Sequence, residues 1–126
     1  MIRIFSKTIR SILIFLVSIA FIACEKQEEA KTVTYQITRS MSGFDVNYKD
    51  ETGKLIKETI QTNSADDVWS YSFKAYNRQI VFVSAIYKDI SSALQVRILI
   101  DGKVYKQGSS KNDTIMYVTL GGSVLD

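Results

Sequence analysis

From Thr32 to the end of the chain, apolar and polar residues alternate with a period of two, the spacing that sends successive side chains to opposite faces of a strand. Val33, Tyr35 and Ile37 alternate with Thr34, Gln36 and Thr38. Phe44, Val46 and Tyr48 do the same against Asp45, Asn47 and Lys49. Asp50-Glu51-Thr52-Gly53 then reads as a turn, and Lys54 to Thr62 as a less regular third strand. After a polar loop from Asn63 to Asp67, Trp69, Tyr71 and Phe73 alternate with Ser70, Ser72 and Lys74. Ile80 to Tyr87 (IVFVSAIY) is almost continuously apolar, which predicts a central strand covered on both faces. Leu94, Val96, Ile98 and Ile100 resume the alternation, and Asp101-Gly102 behind them is a strong two-residue hairpin signal. Lys103 to Gln107 is the expected partner strand, and Thr114 to Leu120 the last one.

Seven or eight short strands, without an amphipathic helix of ten residues among them, predict an all-β fold. The alternation supplies two apolar inner faces, so the expected architecture over residues 32–126 is an antiparallel β-sandwich, immunoglobulin-like in kind. No internal disulfide can help it, because the chain has one cysteine. Its stability must come from the aliphatic and aromatic core.

The first 23 residues follow another pattern. Arg3, Lys7 and Arg10 form a basic opening, and Ile12 to Ala23 is apolar except for Ser18. As a helix this run would measure about 18 Å, well short of the ~30 Å hydrocarbon core of a bilayer. A basic segment, a short apolar segment and a small residue at its end are the layout of a secretory signal. The segment also changes the meaning of the charge. The chain has 16 basic and 13 acidic residues, a formal net charge of +3. Without the signal, 13 basic residues face the same 13 acidic ones. The basic balance therefore belongs to targeting, and nucleic acid is not an expected partner.

Cys24 follows directly on Phe21-Ile22-Ala23, and residues 1–24 resemble a bacterial lipoprotein signal ending in a lipobox. The resemblance implies cleavage after Ala23, a diacylglycerol on the Cys24 thiol and a further acyl chain on the new N-terminus. Phe21 departs from the usual aliphatic residue at its position. Two or three acyl chains hold a protein firmly on a membrane, where one binds only reversibly. Residues 24–31 then form a polar stretch without β-branched or aromatic residues, expected to be a flexible tether. Its Gln27-Glu28-Glu29 is similar to the export signal of surface lipoproteins in the Bacteroidetes. That likeness implies an outer-membrane lipoprotein displayed on the cell surface rather than facing the periplasm.

The order VTYQIT (33–38), FDVNYKD (44–50), DVWSYSF (67–73), IVFVSAI (80–86) and VRILIDGK (96–103) resembles the MmpS-type domain of proteins that accompany RND-type exporters. The Trp69-Ser70 pair and the run from Arg97 to Gly102 carry most of the likeness. Val68 stands where the family often has proline, and Val96 and Val118 where many members have cysteine. The resemblance implies the same sandwich and an accessory role beside an envelope exporter of lipids or small molecules. Fold transfers across such departures more readily than function.

Candidate chemistry is sparse. The chain has no histidine, which removes the Ser-His-Asp and Cys-His arrangements and the common zinc sites. Asp66-Asp67 is the one adjacent aspartate pair, and it reads as a solvated turn rather than a calcium loop, because no further ligands are spaced around it. Asn112-Asp113 reads likewise as loop chemistry. Trp69, Tyr71 and Phe73 share a strand face and are expected in the core; exposed, they would offer a ledge for sugar or lipid. Tyr76, Tyr87, Tyr105 and Tyr117 lie near strand ends, where any of them can join a partner surface. Neither a cofactor nor a metal is expected. The sequence thus points to a lipid-anchored, non-enzymatic binding module of the cell envelope, its partners the membrane and an envelope protein or transporter.

Overall fold

The structure, a computed structural model, describes residues 29–111 and 115–125. Alternation becomes strand wherever it was expected. β1 is Lys31–Thr38, β2 Phe44–Lys49, β3 Leu55–Ile60, β4 Trp69–Ala75, β5 Ile80–Ile86, β6 Ala93–Ile100, β7 Lys103–Lys111 and β8 Tyr117–Ser123. They form two four-stranded sheets, β4-β1-β6-β7 (sheet A) and β3-β2-β5-β8 (sheet B), with every described pair antiparallel. This is the expected sandwich, with eight strands. β2–β3 and β6–β7 are hairpins within a sheet, while the other connections cross between sheets. At the second hairpin Asp101 and Gly102 both have positive φ, as a type I′ turn requires.

The core is what the inner faces supply. Val33, Tyr35, Ile37, Val96 and Ile98 come from sheet A, and Val46, Tyr48, Val81, Val83 and Ala85 from sheet B. Tyr35 also ties the sheets together by polar contacts. Its hydroxyl donates to the Lys49 carbonyl at 2.7 Å and accepts from the Phe82 amide at 3.2 Å, so one β1 side chain grips both β2 and β5. A buried phenol needs such partners, because an unsatisfied one costs about 1–3 kcal/mol.

One expectation needs correction. β5 is interior in the strand order of sheet B, but only its inner face is covered. Val81, Val83 and Ala85 are buried, whereas Ile80 and Ile86 are 58% and 46% exposed, and Phe82 is half-buried. The continuous apolar run marks a strand with an uncovered apolar face, since among the described residues no layer lies over the outside of sheet B.

The two ends of the sandwich are distinct. At one end the Lys31 ammonium bonds to the Leu125 carbonyl, Thr32 and Asp101 exchange hydrogen bonds, and Gln79 Nε2 donates to the Glu51 carbonyl. This end holds the start of β1, and hence the side from which the N-terminal segment enters. The far end carries the loops 39–43, 61–68 and 87–92. Buried hydroxyls lock those loops together. Thr62 Oγ1 donates to the Ser40 carbonyl at 2.8 Å, and the Met41 amide donates to Ser92 Oγ at 3.0 Å. Gly43, with φ of 92°, passes so close to β3 that a Cβ would lie 2.6 Å from the Ile60 carbonyl oxygen.

Candidate functional site

Phe21, Ile22, Ala23, Cys24, Gln27 and Glu28, the residues of the expected cleavage, lipidation and export signals, lie outside the described residues. Glu29 is described and exposed, two positions ahead of β1. Asp67 closes its own loop, its Oδ2 accepting from the Asn63 amide at 2.7 Å and the Ser64 amide at 3.3 Å. Asp66 is exposed beside it, and no group of potential metal ligands forms among the described residues. Asn112 and Asp113 lie outside the described residues.

The aromatic residues sort cleanly. Phe73 is buried, while Trp69 and Tyr71 are half-buried and close the side of the sandwich between the edge strands β3 and β4. Tyr48 stands between them, 5.4 Å from the Trp69 ring and 4.7 Å from the Tyr71 ring by centroid. Two carboxylates cap this stack. Tyr71 donates to Glu51 at 2.6 Å and Tyr48 to Glu58 at 3.1 Å. The hydrogen bond to Glu51, then burial, raises the Tyr71 phenol; burial, then Glu58, pushes Tyr48 up to about 12. Burial likewise pushes Tyr35 up to about 12. These phenols stay protonated near neutral pH and act as donors. The cluster is therefore a side wall of the core, not an open ledge.

Of the remaining tyrosines, Tyr87 is buried with its hydroxyl 2.8 Å from Ser110 Oγ. Tyr105 packs against Gly122, where a Cβ would lie 2.4 Å from its hydroxyl. Tyr76 and Tyr117 are exposed and stand free for a partner.

A groove runs over the far half of the outer face of sheet B. Its upper part, about 250 Å³, lies among Ser42, Gly43, Asp45, Thr59, Gln61, Ile86, Lys88 and Asp89. A second hollow of about 350 Å³ continues along Asp45, Asn47, Lys57, Glu58, Thr59 and Ile86. Strand alternation explains this lining, since Asp45, Asn47, Lys57, Thr59 and Ile86 are all outward-facing positions of β2, β3 and β5 in register. Ile86 provides an apolar floor, and Tyr117 lies directly across the ladder from it. Around that floor, Asp45 accepts from Thr59 Oγ1 at 2.8 Å. Hydrogen bonds from Ser91, and then Ser42, hold the Asp89 carboxyl below its usual range. The groove thus offers carboxylates, ammoniums, amides and hydroxyls around an aliphatic and aromatic strip, a surface for binding a polar ligand or a partner segment.

Sequence reasoning missed the groove. Its members are ordinary outward residues of three strands, and only the register brings them together. The one available signal was the excess of apolar residues in IVFVSAIY, which left Ile86 facing outward. The chain matches no known family of proteins, and no curated protein matches it significantly. Its class is therefore set by architecture alone: an antiparallel β-sandwich with a groove on one sheet.

Proposed function

We propose that the chain is a lipid-anchored lipoprotein of the bacterial outer membrane whose sandwich is a non-enzymatic binding module. The observation that carries this reading is a placement. β1 begins at Lys31, seven positions after Cys24, and the groove lies at the opposite end of the domain. A module held by the acyl chains of Cys24 at one end would thus present its groove away from the bilayer. The acidic Gln27-Glu28-Glu29 segment supports display on the cell surface. A transporter of the RND type bound in the groove would make the module an accessory subunit of an exporter.

The anchor is tested by metabolic labelling with palmitate. Wild-type chain is expected to take up label and fractionate with the outer membrane. Cys24→Ala is expected to lose all label and leave that fraction, because removing the acyl chains removes about 0.8 kcal/mol for every buried CH₂. Label retained by Cys24→Ala would contradict the reading.

A further inference from the structure

The near half of sheet B's outer face, the half beside the N-terminal entry, carries apolar side chains with no described residue over them. Ile80 and Phe82 face outward from β5, and Ile80 pairs with Ser123, so the exposed Leu125 continues the same face beyond it. Gly121 and Ser123 leave the neighbouring strand almost flat. Across β2 the row ends in exposed Leu55, which pairs with Lys49. Three cations border this patch: half-buried Lys49, exposed Lys54 and exposed Arg78, whose amide donates to the Val124 carbonyl. The acids nearby, Asp50 and exposed Glu51, lie at the surface but are engaged in hydrogen bonds. Asp50 accepts from Thr52 and Lys54 within its own turn, and Glu51 accepts from Tyr71.

The far end is different in kind. Met41, Val68 and Ile90 are exposed there one to a loop, interleaved with Asp66, Asp67 and Asp89, and the exposed Ile86, Ile115 and Tyr117 are bordered by Asp45 and Asp89. The near corner joins an apolar strip to a cationic border, the combination that suits a bilayer interface, where apolar side chains enter and lysine or arginine meets phosphate. Its position agrees. The Lys31 ammonium bonds to the Leu125 carbonyl, so the chain returning to Cys24 leaves from beside the patch. Fully extended, that segment reaches at most about 25 Å.

We propose that this corner of sheet B rests on a membrane surface bearing anionic phospholipid headgroups. Ile80, Phe82 and Leu125 enter the interface, and Lys49, Lys54 and Arg78 face the phosphates. The proposal rests on the anchored reading above, and it fixes the orientation that a flexible tether alone would leave free.

The test reconstitutes the full chain, produced in a lipoprotein-processing bacterium, into phosphatidylcholine vesicles with and without phosphatidylglycerol. An amine-reactive reagent then reports each lysine by mass spectrometry. In floated anionic vesicles Lys54 and Lys49 are expected to label about fivefold more slowly than in neutral ones, the scale of one cation near an anionic surface. Lys88 and Lys111 at the far end are expected to be unchanged. The double variant Ile80→Ser/Leu125→Ser, altered only at exposed positions, should still float and should regain fast labelling at Lys54. A chain that floats yet labels equally at both ends would overturn the orientation while leaving the anchor intact. Shielding of Lys54 without dependence on phosphatidylglycerol would assign the corner to a second copy or a protein instead, and would also overturn it. A chain that does not float, or one that floats equally well as Cys24→Ala, would overturn the anchored reading itself, and the orientation with it.

Discussion

The cross-strand rows on the outside of sheet A read Ser72–Thr34–Leu99–Val104 and Ser70–Gln36–Arg97–Gln107. On the outside of sheet B they read Thr59–Asp45–Ile86–Tyr117 and Lys57–Asn47–Ser84–Thr119. Face A is mostly hydroxyls and amides around Arg97, whose Nε is buried without a hydrogen-bond partner among the described residues, with the apolar pair Leu99–Val104 toward the N-terminal entry. Face B carries two hollows, an aliphatic floor and, nearer the N-terminal entry, an uncovered apolar corner. Both faces stand on inner alternations of equal regularity. The difference teaches that folding constrains the inner positions of both sheets alike, while the outer positions are free to record what each face meets. On the proposed binding role, sheet B would be the working face.

The comparison breaks first if the two faces are not one body. Tyr35→Ala removes a fully buried ring and the polar tie between β1 and both β2 and β5. It is expected to cost about 3–5 kcal/mol and to unfold the domain or lower its denaturation midpoint sharply. A loss under about 1 kcal/mol in chemical denaturation would show that the sheets do not depend on this strut.

A smaller lesion strikes face B alone. Gly43→Ala places a Cβ against the Ile60 carbonyl at a φ that side chains rarely adopt, under the upper part of the groove. The expected cost is about 1–3 kcal/mol, read by thermal or denaturant unfolding. Hydrogen exchange should quicken around 39–43 and 60–62 before it changes in sheet A.

Matched surface substitutions sharpen the contrast. Ile86→Ser on face B and Gln107→Ser on face A are each expected to change stability by no more than about 0.5 kcal/mol. Only Ile86→Ser should weaken partner binding in a direct affinity measurement. Equal losses from both would place the partner on neither face in particular.

A further expected effect, outside the neutral range, is set by pH. The Tyr35 and Tyr48 phenols are pushed from 10.0 up to about 12 in the folded chain, mainly by burial. Between those values the unfolded chain has lost protons that the folded one keeps, so stability falls as pH rises. Denaturation midpoints should therefore decline as pH passes from 10 toward 12, and Tyr35→Phe should flatten part of that decline. A midpoint independent of pH across this window would contradict the burial of both phenols.

The strands and both hairpins were legible in the sequence because each obeys a local rule: period two, then Asp50 to Gly53 or Asp101-Gly102 at a turn. The roles of the tyrosines were not legible. Tyr87 and Tyr117 both lie near strand ends, yet one is buried against Ser110 and the other is open, because loop paths rather than periodicity decide it. The groove was equally hidden, since Asp45, Thr59 and Ile86 meet only through the registers of β2 with β3 and β5. Conversely, the residues richest in chemical meaning, from Phe21 to Glu28, are read from order alone and lie outside the described residues. The β5 run shows how the two kinds of reading meet. Its apolar excess was visible, but that the excess faces outward is a property of the layers.

The central claim, that sheet B is the working face, is tested most directly by site-specific photocrosslinking in the native envelope. A photoreactive residue replaces Tyr117 on face B or Gln107 on face A, both exposed. Discrete adducts from position 117, suppressed by Ile86→Ser and absent from position 107, are the predicted result. Adducts from position 107 alone, or equally from both, would contradict it.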